Sequence, residues 1–597
     1  MGSVCFLVKF LIHFNRHKTT KNSEFKTQNL LISIFPPITN QLSMSYYQQH
    51  QDIINRAIEA LHKRTFYAQY PEYPSQKIYG ETADTDGRAK FQNLIGKRFS
   101  ELLQEQPSAW KGQEESPYML EPLNIQYPQF DNEVLISKAL KAFHQWRKVT
   151  PEERAGILVE SLERIKFRFF EVAYATMHTT GQGYMMAFQA SGPHAADRAL
   201  EAIGSGLEEQ QRFPQKIRWE KPIGKHQINL EKEWRVVPKG ISLVIGCSTF
   251  PTWNSVPGIY ASLVTGNPVL VKPHPGAVLP IAIFVAEIQK VLQEAGLDPN
   301  ICQLVVDTFE KTCTVALAEH PEVKLIDFTG NSEFGNYLEG LPGKTVFTEK
   351  SGVNSVILDS VADIDKVAQN LAFSVALYSG QMCTAPQNIY IAETGIKMGD
   401  ERISLPQFAE KLSEAIDVII DNPKAGPFVL GAIQSQNTCR RIEDAKKLGG
   451  KIWLSSRSIE NSLFENARIA TPMVLQIDVD QKETYSKELF GPIVLLIETK
   501  DVDQSIALAK EQAETNGAIS CGAYTIDQKV KEKIADQMSL AATPVSFNLT
   551  GGIYLNQHAG FSDFHLTGGN PAGNASFTNP EFVIKRFTWV GMREEVT

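Results

Sequence analysis

The sequence has no paired cysteines. Its seven cysteines stand singly, at Cys5, Cys247, Cys302, Cys313, Cys383, Cys439 and Cys521, with no CxxC spacing. That pattern excludes a disulfide framework and a zinc-finger type of site, so no metal is expected. Single thiols suit a reducing compartment, and a cytoplasmic location is expected. A net charge of -8 without a long basic run argues against a nucleic-acid partner. No membrane partner is expected either: the apolar stretch Val4–Ile12 is too short to span a bilayer and is interrupted by Lys9. Glycine and proline, at 40 and 31 residues, are too sparse for a low-complexity chain, and no internal repeat is evident.

What is present is the composition of an ordinary globular protein, long enough for two or three domains. Residues 1–43 show no periodicity, whereas an amphipathic pattern begins just past Met44, at Gln51–Leu61. Met44 is therefore expected to be the true start, with 1–43 a non-native or disordered extension; an organelle-targeting peptide is the alternative. Residues 44–130 read as an accessory segment of helices joined by a Pro- and Tyr-rich connector, Tyr70-Pro71-Glu72-Tyr73-Pro74. Helical periods dominate 133–210, and two short strands are expected at 227–230 and 234–237. After Gly240 buried strands alternate with helices: 241–246, 268–272, a helix over 277–294, then 301–306 and 323–328. A second such series runs from Asn354 to about Asn548. Alternation of this kind predicts two α/β domains with parallel sheets and a cleft between them.

Two sites in this pattern can carry chemistry. Tyr378-Ser379-Gly380-Gln381-Met382-Cys383-Thr384-Ala385 ends a helix and presents one thiol just before the strand Asn388–Ile391. A cysteine on such a loop can face a cleft beside backbone N–H groups able to stabilise an oxyanion. Upstream, Thr348-Glu349-Lys350-Ser351-Gly352 offers a carboxylate 34 residues before that thiol. In a partly apolar pocket such a carboxylate has its pKa raised toward neutrality and can activate water.

With these two sites and three more in the same order, residues 130–590 resemble the aldehyde dehydrogenase superfamily. The others are Val271-Lys272-Pro273, Phe328-Thr329-Gly330-Asn331-Ser332-Glu333-Phe334-Gly335 and Lys487-Glu488-Leu489-Phe490-Gly491-Pro492. The resemblance implies two doubly wound α/β domains, a small oligomerisation element and an N-terminal helical extension. Residues 131–349 would bind the cofactor, 350–547 would carry catalysis, and 548–597 would return to an oligomerisation segment of a homodimer or homotetramer. It further implies oxidation of a small-molecule aldehyde, with Cys383 as nucleophile and Glu349 as base. Lys272 would reach the adenosine ribose, and Gly330, Asn331 and Gly335 would form the turn at the cofactor pyrophosphate. Glu488 would hold the nicotinamide ribose, with Phe490 packed near the nicotinamide.

Departures from the family pattern matter. Thr249 stands where the family places its oxyanion-binding asparagine, and Asn254 lies close enough to serve instead. Pro275 replaces a ribose-binding acid, which leans the cofactor expectation from NAD toward NADP, with Glu310 opposing. The segments 247–254, 272–276 and 566–574 most resemble the phenylacetic acid degradation branch, PaaN. That branch implies a CoA-linked semialdehyde from ring cleavage as substrate. A CoA-acylating enzyme and a catalytically silent member of the fold are the alternatives.

Overall fold

The computed structural model describes residues 44–551, 560, 561 and 564–596. The expectations for residues 1–43 lie outside the described residues. Among the described residues no helix is long and apolar enough to cross a membrane.

The first α/β unit is a five-stranded parallel sheet, in the spatial order Thr345–Glu349, Val323–Thr329, Ile241–Ile245, Val269–Lys272 and Cys302–Leu304. Ile241–Ile245 and Val269–Lys272 are buried along their whole length, as strands covered by helices on both faces must be. The chain runs outward from Ile241–Ile245 to one edge and then returns to its other side, pairing Ile326 with Leu243. Strand order therefore reverses between Ile241–Ile245 and Val323–Thr329, and the crevice at the carboxyl ends there is the place for a ligand. Pro251–Val264 and Leu279–Glu294 are among the crossover helices; the second starts slightly later than the expected 277.

The second unit is a seven-stranded sheet ordered Lys451–Leu454, Met473–Ile477, Ile493–Thr499, Asn388–Ala392, Ser355–Leu358, Cys521–Tyr524 and Val545–Phe547. All its pairings are parallel except the edge strand Lys451–Leu454.

The two short strands expected near 230 form one strand, His226–Pro238, between Lys216–Ile223 and Phe587–Glu595 in an antiparallel ribbon. The charged interval 231–233 does not break it because the ribbon is largely open to solvent. Lys216 pairs with Glu233 across the strands at 3.4 Å, and Lys232 sits 3.8 Å above the Trp219 ring.

The accessory segment begins with the helix Tyr46–Lys63, opened by a capping box between Ser45 and Gln48. It lies on Pro151–Ile165 so closely that a Cβ at Gly156 would come within 2.2 Å of the Tyr47 nitrogen. Beyond the helices Gln76–Tyr79 and Ala83–Leu94, short strands replace the expected helical character, Ala109–Lys111 pairing with Tyr127–Gln129. This stretch docks on the first sheet. The Gln104 amide exchanges hydrogen bonds of 2.7 and 3.0 Å with the edge residue Leu304. Buried Glu114 accepts from the N–H groups of Val278 and Leu279, capping Leu279–Glu294.

Candidate active site

Glu349 is the last residue of its strand, directly opposite Thr329, and its carbonyl accepts from Gly330 N at 3.0 Å. Sheet register thus fixes where the carboxylate emerges, at the switch point. Cys383 arrives from the other unit. After the helix Ile364–Ala376 the chain turns sharply, with Tyr378, Ser379 and Gly380 at φ of 51, 49 and 61°. Two of these are side-chain-bearing residues in the left-handed region, which costs about 1–3 kcal/mol each unless the surroundings hold them there. The surroundings do hold them: Tyr378 donates to Thr180 O at 2.5 Å, and Ser379 Oγ contacts Leu430 O and Ala470 O at 3.1 and 2.9 Å. At Gly380 any Cβ would meet Gly491 O at 2.4 Å. The cysteine loop is clamped further by Asn354, whose amide donates to Cys383 O and Ala385 O and accepts from Ile519 N and Ser520 N.

The two groups meet in a cleft of about 290 Å³ lined by Thr249, Asn254, Thr329, Gly330, Asn331, Glu349, Cys383, Arg441, Glu488 and Phe490, among others. The carboxylate of Glu349, the thiol of Cys383 and the imidazole of His565 offer ligand-type atoms all within 4.8 Å of one another. Asn254 Nδ2 donates to Glu349 Oε2 at 3.0 Å, and His565 Nε2 lies 3.1 Å from the same oxygen. Thr249 and Asn254 both border the cleft, and it is the Asn254 amide that touches the carboxylate.

Electrostatics here differ from the expectation for the base. Burial alone would raise the Glu349 pKa, but His565, the Cys383 hydrogen bond and the Arg198 charge outweigh it and hold the carboxyl below its ordinary value. Sequence pattern could not supply those partners. The Cys383 thiol goes the other way: burial, then the adjacent Glu349 charge, pushes it well above the usual thiol range. Cys247, whose thiol reaches Asn254 Oδ1 at 3.5 Å, is pushed up to about 11 by burial first.

The cofactor-type residues fall in two places. Gly330 and Asn331 line the cleft, and Asn331 caps the helix Ser332–Glu339 by accepting from Phe334 N at 2.8 Å. Gly335 lies a turn further in, packed against Lys350 and Phe328 rather than lining the cleft. Burial raises the Glu488 carboxyl above its ordinary value, and Ser351, the Arg441 charge and the Gly352 backbone offset this only in part. Arg441 also donates to Phe490 O at 2.5 Å.

Lys272 lies apart from this cleft, and it is not the free cation that a 2′-phosphate reading requires. Its ammonium is 2.9 Å from Asp307 Oδ1, with both side chains buried. Pro275, expected to face the ribose, is itself buried, while Glu310 is exposed and accepts from Gln113 at 2.7 Å.

Sequence reasoning missed His565, Arg198, Trp253, Asn354, Arg441 and Asp307. One histidine among twelve and isolated acids or arginines carry no spacing signal; only the fold brings them to the cleft or to Lys272.

Comparison with known proteins agrees with this geometry. Residues 127–577 match the Aldehyde dehydrogenase family. A solved NAD-dependent aldehyde dehydrogenase from Burkholderia multivorans is 43% identical, with a TM-score of 0.90 over 93% of this chain and 100% of that one. The 1-pyrroline-5-carboxylate dehydrogenase 2 of Bacillus subtilis (strain 168) is 26% identical over 454 residues, 73% of this chain and 81% of that protein. A Thermus 1-pyrroline-5-carboxylate dehydrogenase solved with NAD, 20% identical, shares the fold at a TM-score of 0.70 over 89% of this chain and 99% of that one.

Proposed function

Because the chain belongs to the aldehyde dehydrogenase family, we propose that it oxidises its aldehyde to the carboxylic acid through a thioester on Cys383, with Glu349 as the base. The observation that carries this is the thiol and the ionised carboxylate side by side in one cleft, delivered by two different sheets. A nicotinamide dinucleotide, when bound, supplies the hydride acceptor. The residues that fit it are the cleft turn 329–331, Glu488, Phe490 and Arg441. The helix N-terminus after Asn331 offers unpaired N–H groups to a pyrophosphate.

The Cys383 thiol gives up its proton to solvent as its sulfur adds to the aldehyde carbon, so Glu349 stays ionised for the later step. The resulting oxyanion is bound by Asn254 or Thr249. Loss of hydride leaves a thioester. Glu349 then removes a proton from water as its oxygen adds to the acyl carbon, and the Cys383 thiolate departs as the carbon–sulfur bond breaks. Among the described residues Glu349 Oε1 is buried without a hydrogen-bond partner, which leaves that oxygen for the water. A retained base argues against transfer of the acyl group to CoA as the main outcome.

For the cofactor, the buried Lys272–Asp307 pair favours NAD over the NADP preference read from Pro275, since the lysine's charge is already matched and Asp307 repels a 2′-phosphate. For the substrate, the resemblance of the segments at 247–254 and 272–276 supports a semialdehyde of phenylacetate breakdown carried on CoA. 1-Pyrroline-5-carboxylate, whose hydrolysed open-chain form is a semialdehyde, is the second reading, favoured by the 1-pyrroline-5-carboxylate dehydrogenases at 26% identity. The open ribbon of Lys216–Ile223, His226–Pro238 and Phe587–Glu595 supports a homodimer or homotetramer, which sedimentation tests. The function itself is tested by following reduced nicotinamide with both semialdehydes, with and without free CoA, in wild type and Cys383→Ala. The variant keeps cofactor binding and loses oxidation; turnover without the thiol refutes the proposal.

A further inference from the structure

We infer that His565 is the positioning residue for the base, an inference that rests on the reading of Glu349 as the group that activates water. The His565 and Glu349 side chains are only 5% and 4% exposed, with Nε2 3.1 Å from Oε2. An isolated carboxylate in such a place would be driven to take up a proton or to turn away. Here Oε2 is flanked on two sides, by His565 and by the Asn254 amide at 3.0 Å, while Oε1 has no hydrogen-bond partner among the described residues. One oxygen faces the Asn254 donor and the imidazole, and the other is kept for water beside Cys383.

The imidazole is in turn held against an aromatic wall. Its ring meets Trp253 edge-on, with centroids 4.6 Å apart at 72°, and the same indole carries the Arg198 guanidinium at 3.7 Å. Arg198 is buried, and its charge acts on both Glu349 and Cys383. Arg198, Trp253 and His565 therefore form a stack that backs the base and comes from three separate parts of the chain. Neither Arg198 nor His565 belongs to the segments that pointed to Cys383 and Glu349. His565 Nε2 faces the carboxylate at ion-pair distance, 3.1 Å from Oε2.

The consequence is selective. Hydride loss needs Cys383 and the oxyanion donors, whereas hydrolysis needs Glu349 ionised and aimed. Removing His565 therefore impairs the second half of the cycle more than the first. The experiment uses the full chain with NAD and succinate semialdehyde as the probe, in wild type, His565→Ala, His565→Gln, Glu349→Gln and the Glu349→Gln/His565→Ala double variant. Both the first-turnover amplitude and the steady rate of reduced nicotinamide are read. In His565→Ala we expect an amplitude near one per site and a steady rate lower by roughly tenfold or more. His565→Gln, which keeps an N–H donor, recovers most of that loss. The double variant turns over as slowly as Glu349→Gln alone, because His565 acts only through Glu349. A wild-type steady rate in His565→Ala overturns the inference, and so does a further tenfold fall in the double variant, which would mark a structural role. If Glu349→Gln itself hydrolyses normally, the base assignment fails first, and the inference with it.

Discussion

Cofactor preference is where the structure most changes the electrostatics expected from sequence, and the change can be tested at Asp307. In the wild type the Lys272 ammonium and the Asp307 carboxylate lie 2.9 Å apart, and both are buried. A 2′-phosphate brought to Lys272 would have to displace or face that carboxylate. Asp307→Asn removes the negative charge while keeping size and polarity, so Lys272 becomes available for a phosphate. One charge-assisted hydrogen bond is worth about 1.5–3 kcal/mol, which corresponds to roughly a ten- to hundredfold gain for NADP relative to NAD. The same substitution leaves a buried lysine without its partner, and breaking such a pair costs about 3–5 kcal/mol. The variant should therefore melt below wild type and be restored more by NADP than by NAD. The assay is kcat/KM for each cofactor at one aldehyde concentration, with melting curves in each cofactor. Wild type is expected to favour NAD, and Asp307→Asn to shift the ratio at least tenfold toward NADP. An unchanged ratio, or a wild type that already prefers NADP tenfold, refutes the reasoning.

Alkylation of the free enzyme by iodoacetamide, followed at the Cys383 peptide, should rise with pH and reach half its maximum above the ordinary thiol value of about 8.5, because only the thiolate reacts and burial and Glu349 both oppose it. Glu349→Gln removes the second cause and leaves the first, so the midpoint should move down without reaching the ordinary value; an upward move would contradict the assignment. Arg586, fully buried, binds Asp327 through two nitrogens at 2.8 and 2.6 Å and stacks on Phe347 and Phe582. Arg586→Met should lower stability by about 3–5 kcal/mol in denaturant unfolding, and adding Asp327→Asn should recover part of it; a loss under 1 kcal/mol would count against a paired buried charge.

Much of the architecture was legible because buried parallel strands leave an unbroken apolar signature. The runs at 241–246 and 323–328 could be read for that reason, as could the thiol loop before Asn388. The long strand His226–Pro238 was less legible, since an exposed ribbon tolerates the charged interval that makes it read as two pieces. At the site, Glu349 and Cys383 stood out through the family resemblance, whose interval of 34 residues they keep. Their electrostatics did not, because the pKa of Glu349 is governed by His565 and Arg198, which lie 216 residues downstream and 151 upstream of it in the sequence. Lys272 was readable as a strand-end lysine, but its partner Asp307, three residues past the strand Cys302–Leu304, was not. Local pattern reports what each segment must bury, while the charge state of a buried group depends on whichever segments fold against it.

The central claim is a covalent intermediate on one named sulfur, and peptide mass mapping of Glu349→Gln after mixing with NAD and an aldehyde substrate addresses it directly. With hydrolysis blocked, the peptide bearing Cys383 should be heavier by the aldehyde less two hydrogen atoms, at close to one adduct per chain and in step with the reduced nicotinamide formed. Reduced nicotinamide without an adduct on Cys383, or the adduct on Cys247 instead, would contradict the account.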